Sequence, residues 1–331
     1  MNRKSFLEWI LVMVIASFFL QYLNTIQADP GPTVIAYAKG MLDPTKDRFL
    51  VYMQGNMTQV TWVVITDVLN FDKIKNADMI IMVGVDTSQN FTSDELAAVK
   101  QWFDQGNKVI WITGDSDYSG DKPRMIQANR VAETLGTKLR NDDCQPNDAV
   151  RSPTGAYRIG SDITPDPAAS TLSDGVTGMV LFHGPGVLAA IQDSNWVSLT
   201  DKTIDNIYRI AYTGPQAIIT EQTPPTAKAY VAGAQGKFVL MAAEVMRNNG
   251  IVIFSTSAPF DQYRGMWQSG TYNDLKDLAG PQFVTNVVLW SVGLKGTKPK
   301  FQTPLIEYLP YAAVVVVVVI AAVYVFYLRR K

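Results

Sequence analysis

The chain has 331 residues, a formal net charge of −1, 47% hydrophobic residues and 18% charged residues, the last below the roughly 25% of ordinary soluble chains. No basic excess points to nucleic acid. A single cysteine, Cys144, and a single histidine, His183, exclude an internal disulfide, a Cys/His zinc cluster and any chemistry that needs several histidines.

At the head, Arg3 and Lys4 precede an apolar run from Phe6 to Leu23. Residues 1–28 read as a signal peptide or an uncleaved signal anchor, with Ala28 the candidate residue before a cleavage point. Either outcome starts the basic head inside the cell and exports the middle of the chain.

Residues 32–294 alternate β-rich runs with helical stretches, which predicts one extracytoplasmic α/β domain. TVIAYA is a first strand. DPTKDRFLVYMQGN predicts one helix, capped by Asp43 with Pro44 at its first position. VTWVVIT is a second strand. ADMIIMVG is a third, apolar on both faces as central strands of a parallel sheet are. In NFTSDELAAVKQWFDQGNKVIWIT, Thr92 and Glu95 make a capping box, and Phe91 and Leu96 a hydrophobic staple. Gly106 stands where a left-handed residue ends the helix, and the strand KVIWIT comes next. PRMIQANRVAETLG predicts a helix from Pro123 to Gly136. Residues 141–177, with four prolines, are expected as loops over the sheet. GMVLFHGPGVLAAI, IYRIAYTGPQAIIT, AKAYVAGA, KFVLMAAEV and NGIVIFSTSAPF read as strands, and PQFVTNVVLWSVG as a closing helix. The expected fold class is α/β: a largely parallel central sheet with helices on both faces, flavodoxin-like, flanked by N- and C-terminal transmembrane helices.

Residues 295–308 form a polar, proline-bearing tether. Residues 309–328 are uncharged and apolar, about 20 residues, enough for a helix to span a bilayer core of roughly 30 Å. A lone segment in lipid has only helix to satisfy its backbone. Tyr308, Tyr311, Tyr324 and Tyr327 sit towards the ends of this run. The basic stub 329–331 (Arg329, Arg330, Lys331) places the C-terminus in the cytoplasm. The expected location is therefore the cell membrane, with the bulk of the chain outside the cytoplasm. Two glycosylation sequons, at Asn56 and Asn90, fit an exported domain.

The segments FTSDELAAVKQWFDQGNKVIWITGDSD, NGIVIFSTSAPF and FVTNVVLWSVG together resemble the non-catalytic branch of the class I glutamine-amidotransferase-like fold. That branch includes membrane-linked prokaryotic domains, the extracytoplasmic domain of gliding-motility transporter proteins and a domain of an intraflagellar-transport subunit. The catalytic branch carries a cysteine on a sharp turn after a central strand, with a histidine and an acid near the domain end. Here Cys144 lies in the polar stretch NDDCQPND, His183 lies mid-chain, and FSTSAPF holds neither partner. No catalytic residue carries over. The resemblance implies a binding or scaffolding domain, an accessory subunit of a transporter or envelope complex, without enzymatic activity.

The candidate site is GDSDYSGD, at the carboxyl edge of the sheet, where open α/β folds bind ligands. Asp115, Asp117, Ser119 and Asp121 offer oxygens in the manner of a calcium loop, but Ile126 stands where such a loop closes on a bidentate glutamate. Ca²⁺ is the one cofactor this pattern brings into view; otherwise none is expected. Ser116 in GDSDY approaches a nucleophile elbow without its last glycine. With His183 it defines the alternative of an exported hydrolase using residues 114–121; a structural or adhesive surface protein is a further alternative. The turns HGPG, with His183, and SAPF, with Ser257, are placed to line a cleft beside GDSD. Candidate ligand-binding residues are thus Asp115, Ser116, Asp117, Ser119, His183 and Ser257. The aromatic run FDQYRGMWQSGTYND offers Phe260, Tyr263, Met266, Trp267 and Tyr272 either to a ligand or to the core.

Overall fold

The structure, a computed structural model, describes residues 31–222, 224–260, 265–303 and Val319. The first half alternates strands β1 (Thr33–Lys39), β2 (Thr61–Ile65), β3 (Met79–Gly84) and β4 (Val109–Thr113) with helices α1 (Arg48–Asn56), α2 (Phe71–Ile74), α3 (Ser93–Phe103) and α4 (Lys122–Leu135). Then come β5 (Leu139–Asp142), β6 (Gln145–Asn147), β7 (Arg158–Ile163), β8 (Val180–His183), β9 (Val187–Gln192), β10 (Asn195–Ser198), β11 (Ile207–Tyr212), β12 (Ala217–Thr220) and β13 (Gln235–Gly236). The domain closes with β14 (Val239–Val245), β15 (Ile251–Ser255), β16 (Ser269–Tyr272), β17 (Leu275–Ala279) and α5 (Gly280–Ser291).

One nine-stranded sheet runs β2-β1-β3-β4-β15-β14-β11-β7-β8. Its first five strands are mutually parallel, and the last four join antiparallel. The sheet is therefore mixed, where a largely parallel one was expected from the sequence pattern. Two three-stranded sheets, β10-β9-β5 and β13-β12-β6, and the hairpin β16-β17 attach beside it.

Side chains alternate across a strand with period two, and both faces of this sheet are covered. Val34, Ala36 and Ala38 of β1 pack with Phe49, Leu50 and Met53 of α1 and with Phe283, Val287 and Trp290 of α5. Ile35 and Tyr37 face the other way, with Leu96, Val99 and Trp102 of α3 and Val131 and Leu135 of α4. Burial on both faces is why the parallel strands read as unbroken apolar runs.

The capping box at Thr92 and Glu95 forms, and Phe91 and Leu96 are both buried beside it. Gly136 ends α4 at φ 75°, in the left-handed region that glycine tolerates best. Three expectations change. The single helix from Asp43 breaks into a 3₁₀ turn, Pro44–Lys46, and α1, because the Asp47 carboxylate accepts the Leu50 N–H and starts a new cap. AKAYVAGA is not a strand: Lys228, Ala229 and Tyr230 donate their N–H groups to the Asp142 carboxylate instead of to a ladder. The region 141–177 is not only loop, since it supplies β7 to the main sheet and β6 to a side sheet.

Among the described residues no helix is long and apolar enough to cross a membrane. The head segment 1–28 and, apart from Val319, the run 309–328 with its basic stub lie outside the described residues. Asn56 and Asn90 are both exposed.

Candidate functional site

The loop after β4 leaves the sheet between β3 and β15, at the carboxyl ends of the parallel strands. Two glycines let it pass close to the HGPG turn. A Cβ on Gly114 would lie 2.2 Å from Asn141 Oδ1, and one on Gly186 would lie 2.5 Å from the Asp115 carbonyl oxygen. Asn141 fastens the junction: its Oδ1 accepts the Asp115 N–H at 3.2 Å, and its Nδ2 donates to the Asp142 carbonyl at 3.0 Å. No motif marks Asn141 for this role.

The result is a cleft of about 710 Å³. The loop contributes Ser116, Tyr118 and Asp121; the ends of β7 and β8 contribute Tyr157, Arg158, His183 and Gly184. Gln145, Gln222 and Tyr272 complete the wall. Ser116 and His183, far apart in sequence, thus share one cleft. Ser257 is fully buried beyond β15 and is not part of this lining. Of the aromatic run, Phe260, Met266 and Trp267 are core residues and Tyr272 reaches the cleft, while Tyr263 lies outside the described residues. A separate, more open depression of about 780 Å³ lies beyond β1 and β3, between Lys46, Arg48 and Asp86; it contains none of the candidate ligand-binding residues.

The acids of the loop are already engaged. Arg124 Nη1 lies 2.7 Å from Asp121 Oδ1 and 3.4 Å from Asp115 Oδ2, and the same guanidinium donates to the carbonyls of Gly84 and Val85. Asp117 Oδ2 accepts the Gln222 N–H at 2.6 Å, and Ser119 is exposed. Where the loop pattern suggested Ca²⁺, the structure places an arginine between two of the carboxylates. Among the described residues no group of three or more His, Cys, Asp or Glu side chains is placed to hold a metal ion. Burial pushes the Asp115 carboxyl well above the usual range, and the nearby Asp121 adds to it. Burial likewise raises Asp117.

Ser116 is fully buried, and its Oγ accepts the Tyr118 N–H at 3.3 Å. His183 faces Arg158 across the β7–β8 pair, with Arg158 and His183 in register. Burial, reinforced by the Arg158 charge, lowers the His183 imidazole to about 4. Its ring stands edge-on to Tyr157, with centroids 5.4 Å apart, and tilted to Tyr272 at 6.1 Å. The Arg158 guanidinium lies over Tyr157 at 4.9 Å and over Tyr272 at 5.9 Å, and its Nη2 donates to the Tyr157 hydroxyl. Arg158 and Tyr157 escaped the motif reading because the antiparallel register, not local spacing, brings them to His183. Cys144 is fully buried, and burial together with the neighbouring Asp142 pushes its thiol well above the usual range.

The depressed His183 has a measurable consequence. The folded state keeps the imidazole neutral down to about pH 4, whereas the unfolded chain protonates near 6.5. The stability it confers is present above the unfolded value and is lost as pH falls between those two values. Wild type should lose about 1 kcal/mol relative to His183→Asn between about pH 7 and about pH 5, with solvent access to the ring included. Denaturant titrations of both chains at the two pH values give the difference, in which the buried acids common to both cancel.

No family model and no curated protein matches the sequence. Among solved structures, the mmIFT52 N-terminal domain aligns with a TM-score of 0.52 and 13% identity, over 78% of this chain and 96% of that one. A structure described as a GMP synthase subunit protein from Thermoplasma acidophilum aligns with a TM-score of 0.38 and 10% identity, over 80% and 94%. The first likeness is one of fold, and it agrees with the amidotransferase-like fold expected from the sequence resemblance.

Proposed function

We propose that this chain is a membrane-anchored, extracytoplasmic binding domain without catalytic activity, acting as an accessory subunit of a transporter or envelope complex. The observation that carries the non-catalytic part is the state of the nucleophile candidates. Cys144 has no exposed surface, and burial favours its protonated, unreactive form. The strand end where the catalytic branch places its cysteine holds Asp115 and Ser116, both buried and hydrogen-bonded within the loop. The binding part is supported by the cleft at the carboxyl edge and by the likeness in fold to the mmIFT52 N-terminal domain. The anchor rests on the apolar ends of the sequence.

One observation favours a hydrolase: Ser116 and His183 line the same cleft. The chemistry opposes it. An imidazole held near 4 beside a guanidinium is a poor acceptor for a serine proton at neutral pH. The Ser116 hydroxyl is also enclosed by its own turn.

Reactive probes test the proposal. The native full-length chain in detergent should resist iodoacetamide at Cys144 and a fluorophosphonate at Ser116, and Cys144 should label once the chain is unfolded. Labelling of either residue in the native chain, read by peptide mass spectrometry, would overturn the non-catalytic reading.

A further inference from the structure

We propose that the cleft between the loop after β4 and the β7–β8 edge binds a sugar acid, a monosaccharide unit bearing one carboxylate. This inference rests on the binding reading above and names the ligand class. The cleft has the size of a small-molecule site, about 710 Å³. What it presents is specific. Its acid Asp121, and Asp115 behind it, share Arg124. Arg158 has no carboxylate within ion-pair distance among the described residues, and its Nε is buried without a hydrogen-bond partner there. Asp274, an acid close enough to feel the Arg158 charge, accepts from Ser152 and Thr154 instead. The cation that the cleft holds without an ion-pair partner among the described residues is therefore Arg158.

Arg158 is also held in place. It is stacked on Tyr157 and Tyr272, and its guanidinium sits against Gly155, where an added Cβ would lie 2.2 Å from Nη1. A planar guanidinium fixed in this way suits a carboxylate. The Tyr157, His183 and Tyr272 rings offer apolar surface to the C–H face of a pyranose. Gln145 and Gln222 each bring an amide with donors and an acceptor, the complement of sugar hydroxyls. Other classes fit less well. An α-amino acid needs an anion for its ammonium, and the acid of the lining, Asp121, is committed to Arg124. A phosphate ester needs more than one cation or a cradle of backbone N–H groups, and the sequence has no phosphate loop. A neutral sugar leaves Arg158 unpaired.

The test uses a natural reporter. His183 is the sole histidine, so the full-length chain in detergent gives one imidazole Cε1–H resonance. A bound carboxylate beside Arg158 favours the imidazolium. Glucuronate should shift the resonance with a Kd on the order of 1 mM and raise the His183 pKa from about 4 by about one unit or more. Methyl glucoside should do neither. Arg158→Gln should weaken glucuronate at least about tenfold, and Tyr272→Ala about fivefold.

No response to glucuronate, an equal response to methyl glucoside or to benzoate, or undiminished binding by Arg158→Gln would overturn the inference. Should Arg158→Gln fail to fold, Tyr272→Ala decides: weakened binding supports the site and unchanged binding overturns it. The outcome is separable from the parent reading. Loss of glucuronate binding with a protein partner still recovered from membranes removes only the ligand class.

Discussion

Glu95→Ala should destabilise the domain by about 3–5 kcal/mol, the cost of leaving a buried charge without its partner. Glu95 sits in the first turn of α3 with no exposed surface. One oxygen accepts the Lys39 ammonium at 2.5 Å and the Thr92 N–H at 2.7 Å. The other accepts the Tyr37 hydroxyl and, at 3.2 Å, the Leu69 N–H. One carboxylate thus ties β1, the segment before α2, and the start of α3. Burial acts to raise its pKa, but the bonds from Lys39, Tyr37, Thr92 and Leu69 prevail and hold it below the usual glutamate range. Removing it strands a lysine whose side chain is only 9% exposed. Lys39→Met should cost less, because Glu95 keeps three donors. Urea midpoints of the three chains, followed by tryptophan fluorescence, check the order; a loss under about 1 kcal/mol for Glu95→Ala would contradict it.

Asp142→Ala should cost about 3 kcal/mol and loosen one wall of the cleft. The Asp142 carboxylate is fully buried and accepts four backbone N–H groups, from Asp143 and from Lys228, Ala229 and Tyr230. Each unmet buried donor carries a penalty of about 1–3 kcal/mol, but the released loop regains water, so the total is less than four separate losses. A second readout separates this from general destabilisation. Hydrogen exchange should accelerate first over residues 221–234, the stretch that carries Gln222 into the cleft, while α3 and β4 stay protected. Equal acceleration everywhere would contradict a local role. Asp142→Asn should recover part of the loss, because its carbonyl oxygen still accepts.

The parallel half was legible because its signals are local. Strands buried on both faces leave unbroken apolar runs, and Thr92 with Glu95, three residues apart, announces the start of α3. The second partner of Glu95, Lys39, carries no such signal; it arrives from β1 through the sheet. The antiparallel half was harder to read. β7 is RIGSDI, polar by strand standards, because Ser161 donates to the Val180 carbonyl and Arg158 turns to the cleft. Gly160 interrupts its apolar pattern where a Cβ would lie 2.7 Å from Met179 Sδ. AKAYVAGA misled in the other direction: its alternation is real, but the Asp142 carboxylate takes the amides a ladder would need.

The candidate site was half visible. GDSD and HGPG do lie beside one another, whereas SAPF is not part of the same cleft. What the motif hid was its charge balance. Asp115 and Asp121 suggested a cation until Arg124, one turn into α4, supplied it. Arg158, Tyr157 and Tyr272 could be grouped with His183 only once the β7–β8 register and the β16–β17 hairpin were known.

The proposed function has this domain hold a partner at the membrane. Photo-cross-linking from Tyr118 or Tyr157, both exposed at the cleft rim, in intact membranes tests it most directly. We predict one defined heavier species containing a second protein. Recovery of the chain alone, from membranes in which it is folded and abundant, would rule out that role.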